Sequence, residues 1–237
     1  MIEVLWIAFP QFETQELHKI SKGLGYHSYN NAGTYANKGH AKIWTQYLLN
    51  LKPMDWDRLF KNYNAALELP SILFYRDLIK HNPQLKVIIY DIDYKLAYKR
   101  YKRIKRLMNS LKWIKIFKHP REYVSLGEKT LHFLFKGDDS YENAVKEYQL
   151  LIEDVKNVIP PNQLLIFKPN DGWEPICNFL EKDIPTQAFP IQYNKEKDKV
   201  IIKNIIFSSL IRKDALFIIF YISVICGLLA YLLFFYS

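Results

Sequence analysis

The chain of 237 residues is 49% hydrophobic and 24% charged, with a formal net charge of +9. Its two cysteines, Cys177 and Cys226, exclude a disulfide framework and fit a thiol-reducing compartment. Its six histidines are scattered and no Cys/His cluster has zinc-site spacing, so no metal is expected.

The first nine residues, MIEVLWIAF, lack the basic leader and small-residue cleavage site of a signal peptide, and 5–9 read as a buried strand. Residues 14–23 predict a helix with Leu17 and Ile20 on one face, ended by Gly23 and Gly25. Helices follow over 42–51, stopped by Pro53, over 57–66, capped by Asp55 or Asp57, and over 71–81, before Pro83. The run 85–90, LKVIIY, has the β-branched content of a strand covered on both faces. A helix over 97–111 puts Ala97, Tyr101, Ile104, Met108 and Leu111 on one side. A helix over 141–158 does the same with Val145, Tyr148, Leu151, Ile152 and Val155, and Pro160 and Pro161 close it. A strand over 163–168 and a short helix over 174–180 come next. Buried strands alternating with helices imply an α/β domain with a largely parallel sheet.

Residues 195–214 form a charged juxtamembrane stretch with an apolar side. From Ala215 to Tyr236 there are 22 consecutive uncharged positions. A helix of that length spans roughly 33 Å, enough for a bilayer's hydrocarbon core. The expectation is a C-terminal transmembrane helix over 215–236, with Arg212 and Lys213 on its cytosolic flank. That would make a single-pass membrane anchor with the main domain in the cytosol.

The basic excess is local. Residues 95–121 carry eleven basic and no acidic residues, leaving 22 basic against 24 acidic residues elsewhere. Three readings stay open: a solvated helix face, contact of Lys102, Arg103, Lys105 and Arg106 with anionic lipid, or nucleic-acid binding. No recognised reader motif supports the last, so no nucleic-acid partner is expected.

Ligands of parallel α/β sheets bind beyond the carboxyl ends of the strands, here at loops 10–14, 91–94 and 169–173. A phosphate cradle needs glycines, a helix N-terminus and a basic residue. The first loop has no glycine and no basic residue, and Glu13 and Glu16 favour the helix dipole themselves while repelling a phosphate.

The stretch Pro160-Pro161-Asn162-Gln163-Leu164-Leu165, then Asp171-Gly172-Trp173-Glu174-Pro175-Ile176-Cys177-Asn178-Phe179-Leu180, then Ile184-Pro185 and Phe189-Pro190, resembles the end of a sulfotransferase domain. The similar subgroup is the one that includes the oxamniquine-activating sulfotransferase. Asp55-Trp56-Asp57-Arg58-Leu59-Phe60, Glu68-Leu69-Pro70, Pro83-Gln84-Leu85-Lys86-Val87-Ile88-Ile89 and Leu24-Gly25-Tyr26 add to the resemblance, which covers residues 1–194. It implies a three-layer P-loop-like α/β fold. It also implies transfer of sulfuryl from 3′-phosphoadenosine 5′-phosphosulfate to a hydroxyl or amine.

The chain departs from the family pattern where the cofactor is held. In the first loop only Pro10, Thr14 and Leu17 survive, with Ala8 and Glu13 for glycines, Gln11 for an arginine and Glu16 for a serine. Ile92 stands for the arginine of the second loop, and Arg100 could supply a compensating charge. The resemblance makes Pro10, Thr14, Arg100, Asp171, Gly172 and Trp173 the candidate cofactor contacts. It puts Glu68 at the acceptor base, and an acid at a helix N-terminus is the other reading of Glu68. The expectation is a membrane-anchored sulfotransferase-like pseudoenzyme or binding module without a cofactor. The alternative is an active sulfotransferase with Glu68 as base.

Overall fold

The computed structural model describes residues 1–10, 14–110, 118–190 and 222–226. Its strands are β1 (Val4–Ile7), β2 (Ser28–Tyr29), β3 (Ala65–Leu67), β4 (Lys86–Tyr90) and β5 (Leu164–Phe167). They form one sheet in the order β2-β3-β1-β4-β5, and every pairing is parallel. The central strand β1 is buried along its whole length, as its uninterrupted apolar sequence requires.

The helices are α1 (Thr14–Gly23), α2 (Asn31–Ala36), α3 (His40–Leu48), α4 (Trp56–Leu59), α5 (Tyr75–His81), α6 (Tyr94–Ser110), α7 (Lys118–Leu134), α8 (Tyr141–Val158) and α9 (Glu174–Leu180). From β1 the chain travels through α1 to β2 on one side of the sheet. From β3 it travels through α5 to β4 on the other. Right-handed crossovers in opposite directions place their helices on opposite faces. The expected parallel α/β domain is therefore present.

Two short strands escape a reading of local pattern. Residues 57–66 do not form one helix. Asp55 accepts from the Arg58 amide at 3.0 Å and caps α4, which ends at Leu59. The Asn64 amide then donates to the His27 carbonyl at 3.1 Å, and Ala65–Leu67 enters the sheet beside β1. Sheet pairing on both sides of β3 outweighs the helical preference of its two alanines.

The expected transmembrane helix and single-pass membrane location are corrected. Among the described residues no helix is long and apolar enough to cross a membrane. Of the span 215–236, only 222–226 are described, and they are helical. Five residues rise about 7.5 Å, a quarter of a hydrocarbon core of about 30 Å. Ala215, Tyr236 and the stretch 195–214 lie outside the described residues.

The basic helix α6 is tied to the domain. Lys105 bonds the Asp139 carboxylate, Lys102 stands 3.7 Å from it, and the Tyr101 hydroxyl donates to it at 3.0 Å. Two of the four cations expected to meet lipid thus face the connection between α7 and α8, while Arg106 is exposed.

Candidate functional site

The registers place three strand ends side by side. Trp6 pairs with Leu67 and Ile7 with Ile89, so across the sheet's carboxyl edge Glu68 comes level with Ile7, and Ala8 with Tyr90. The chain leaves β1 towards β2 and leaves β4 towards β5, in opposite directions. Between such strands a doubly wound sheet opens its crevice.

The β1 side of this crevice is filled. Ala8, Phe9 and Pro10 are buried. The Phe9 ring lies 6.3 Å from Tyr101, 6.0 Å from Phe135 and 5.0 Å from Tyr148, an aromatic knot where a phosphate cradle would leave bare backbone. Thr14 opens α1, and Glu16 in its first turn is only 2% exposed. A carboxylate there complements the helix dipole and takes the electrostatic position an anion would seek. Gln11, Phe12 and Glu13 lie outside the described residues.

Arg100 is buried on α6, beside Tyr101, and Ile92 rather than a cation stands after β4. A phosphosulfate nucleotide needs several cations and open amides together. One buried guanidinium against the buried carboxylates Glu16 and Glu68 does not provide them. These residues do not fit that cofactor.

Glu68, which the resemblance implies as the acceptor base, follows directly on β3 and is 1% exposed. Its backbone is left-handed, with φ 58°. Non-glycine residues are held there only when their surroundings over-determine them. The surroundings are a Glu68 amide donating to the Trp6 carbonyl at 3.2 Å and Asn31 Nδ2 donating to Glu68 Oε2 at 3.3 Å. Asn31 begins α2, and Tyr35 on the same helix packs 4.8 Å from His119 and 5.1 Å from Tyr123, both on α7. Burial, then the charge of Glu68, pushes the Tyr123 phenol well above its usual range.

The DGWEP residues do structural work. Asp171 accepts from the Lys168 amide at 3.0 Å, and Gly172 turns the chain with φ 72°. The Trp173 indole donates to the Gln187 carbonyl at 2.9 Å and its ring meets Phe189 edge-on at 4.8 Å. These contacts clamp the start of α9 and give Asp171 and Trp173 a role that needs no nucleotide.

Pattern alone passes over Tyr148 and Tyr94. Tyr148 reads as one more apolar position of an amphipathic helix, yet its ring lies 5.9 Å from Tyr94, just past β4, as well as against Phe9. Burial, then Tyr94, Glu68 and Asp91, disfavours the phenolate and pushes its pKa well above the usual range.

The chain is similar to "Ava biosynthesis cluster protein M" of Aspergillus versicolor, 24% identical over 207 residues that cover 80% of each chain. It is also similar to a solved sulfotransferase of Alicyclobacillus acidocaldarius, at 13% identity and a TM-score of 0.49, over 91% of this chain and 95% of that one. A family model described as a sulfotransferase domain matches residues 3–198. By that match over most of its length, and with a parallel sheet to carry it, the chain belongs to the sulfotransferase domain family.

Proposed function

We infer that this is a sulfotransferase-fold binding module that has given up the phosphosulfate nucleotide. The observation that carries the reading is buried Glu16 in the first turn of α1. Burying a polyanion beside it would add repulsion in a medium that screens poorly. A charge-assisted hydrogen bond contributes about 1.5–3 kcal/mol, so two or three lost contacts forfeit roughly a thousandfold or more in affinity. Calorimetric titration with adenosine 3′,5′-bisphosphate tests it: no saturable heat is expected, and micromolar binding overturns it.

A second reading keeps the enzyme, with Glu68 as the base for the acceptor. It is favoured by the buried, Asn31-bonded position of that carboxylate at the strand edge. Transfer of labelled sulfate from the nucleotide to a panel of phenols and alcohols, lost in Glu68→Gln, would support it over the first.

A further inference from the structure

An open sheet must find partners for the backbone groups of its two outer strands. β2 closes one edge with only two residues, both buried. β5 forms the other edge and is not covered: Leu164 and Leu165 are half-buried and Ile166 is 46% exposed. The strand, Leu-Leu-Ile-Phe, has no charge and no proline, and its register with β4 runs without a bulge. The devices that usually blunt an edge are therefore missing from the strand itself.

The Asp91 amide donates to the Phe167 carbonyl at 2.8 Å, so Phe167 turns its backbone groups to β4. Alternate residues of a strand turn theirs to the same side, so Leu165 does likewise, while Leu164, Ile166 and Lys168 turn theirs away from the sheet. The ends of this outer row are closed locally. The Leu164 amide donates to the Pro161 carbonyl, and the Lys168 amide to the Asp171 carboxylate at 3.0 Å. The Lys168 carbonyl accepts from the Asp171 amide at 3.0 Å. Between these closures, among the described residues, no hydrogen bond reaches the amide or carbonyl of Ile166 or the carbonyl of Leu164.

A free donor and a free acceptor on one residue, beside an exposed apolar side chain, call for a strand. Two facing residues of an antiparallel ladder exchange both bonds, N–H to C=O in each direction. A second β5 related by a two-fold axis through Ile166 makes that exchange with one residue from each copy, the positive end of each N–H against the negative end of the other C=O. The open Leu164 carbonyl then lies opposite Lys168 of the other copy. A longer foreign strand would run past Ile166 into positions that Pro161 and Asp171 already hold.

We propose that β5 is a self-association edge: two copies of this chain pair their β5 strands antiparallel about Ile166 and join two five-stranded sheets into one. This edge lies on the outer side of β4, apart from the β1–β4 crevice, so neither outcome of the nucleotide titration bears on it.

Sedimentation velocity of the full chain over a range of concentrations tests it. The wild type is expected to show a monomer–dimer equilibrium. Ile166→Pro deletes the outward amide, and proline is accepted on an edge strand whose N–H faces away from the ladder. That variant should keep the wild-type melting temperature when dilute, and should dimerise at least about tenfold more weakly because two hydrogen bonds go at once. Ile166→Lys keeps the amide but sets two ammonium groups face to face, and should give a similar loss; it decides alone if the proline variant unfolds. Leu150→Lys alters a leucine of similar exposure, 44%, on α8 and should leave the dimer unchanged.

A wild type that stays monomeric overturns the proposal. Hydrogen exchange at the Ile166 amide then tells an edge covered by the chain's own residues, which exchanges slowly, from one left open to a different strand. Undiminished dimerisation in a folded Ile166 variant also overturns it. So does an equal loss in Leu150→Lys, which would mark unspecific apolar association.

Discussion

Asn31 Nδ2 donates to Glu68 Oε2 at 3.3 Å, and this contact joins the start of α2 to the end of β3. A buried carboxylate depends on each donor it has, because water cannot replace one. Asn31→Ala is expected to cost about 1.5–3 kcal/mol, the worth of a hydrogen bond to a charged group. Asn31→Asp should cost more at pH 7 than at pH 4, because it sets a second carboxylate beside the first. Urea denaturation at the two pH values checks both. Equal midpoints for wild type and Asn31→Ala would mean that the contact contributes nothing.

That pair shows what the sequence could and could not disclose. The resemblance singles out Glu68, but the strand β3 that precedes it reads locally as the end of a helix. The partner of Glu68 was not legible, because Asn31 is 37 residues away on a helix of six residues with no amphipathic signal. Helices α1, α8 and α9 lie where their apolar spacing and caps predict, at 14–23, 141–158 and 174–180. Strand β2 has two residues and β3 three, too few for alternation to register. Tyr148 was visible as a core position only. The apolar run at 215–236 was legible as composition, and the described residues do not carry the membrane helix inferred from it.

Asp139 anchors the basic helix and should make its packing pH-dependent. Burial alone would raise the carboxyl's affinity for a proton. Hydrogen bonds from Lys105 and Tyr101, with the charge of Lys102, outweigh burial and hold it below its ordinary value of 3.8. A group depressed in the folded state stabilises above its unfolded value, and that contribution disappears as pH falls through the folded one. Asp139→Asn should therefore lose about 0.5–1 kcal/mol at pH 7, a modest amount because the lysines are partly exposed and screened. The difference between the proteins should shrink on titration below about pH 4. Thermal melts from pH 7 to pH 3 measure it; a difference that grows in acid would contradict the sign.

Gly23 tests whether Trp173 belongs to the fold rather than to a nucleotide site. A Cβ at this position would lie 2.9 Å from Trp173 Cη2 and would also clash with Gln187 Nε2. The Gln187 side chain can swing away. The indole is held by the Gln187 carbonyl and by Phe189. Overpacking of this kind costs about 1–3 kcal/mol, against up to about 1 kcal/mol gained in helix propensity. Gly23→Ala should therefore be destabilising and should shift the tryptophan emission. A variant more stable than wild type would show that α1 does not rest on Trp173.

Phe9 and Glu16 separate shape from charge at the β1–α1 junction. Phe9 is fully buried among Tyr101, Phe135 and Tyr148, so Phe9→Ala removes the centre of an aromatic cluster and should cost about 3–5 kcal/mol. Phe9→Leu keeps most of the volume and should cost less. Glu16→Gln removes one negative charge while nearly preserving shape. If charge alone kept the nucleotide out, Glu16→Gln would gain affinity for adenosine 3′,5′-bisphosphate. The aromatic filling and Ile92 remain in that variant, so the expected result is still no saturable binding. Calorimetry on Glu16→Gln decides it: micromolar affinity would reduce the obstacle to a single carboxylate, whereas silence assigns it to the filled crevice and the absent cation together.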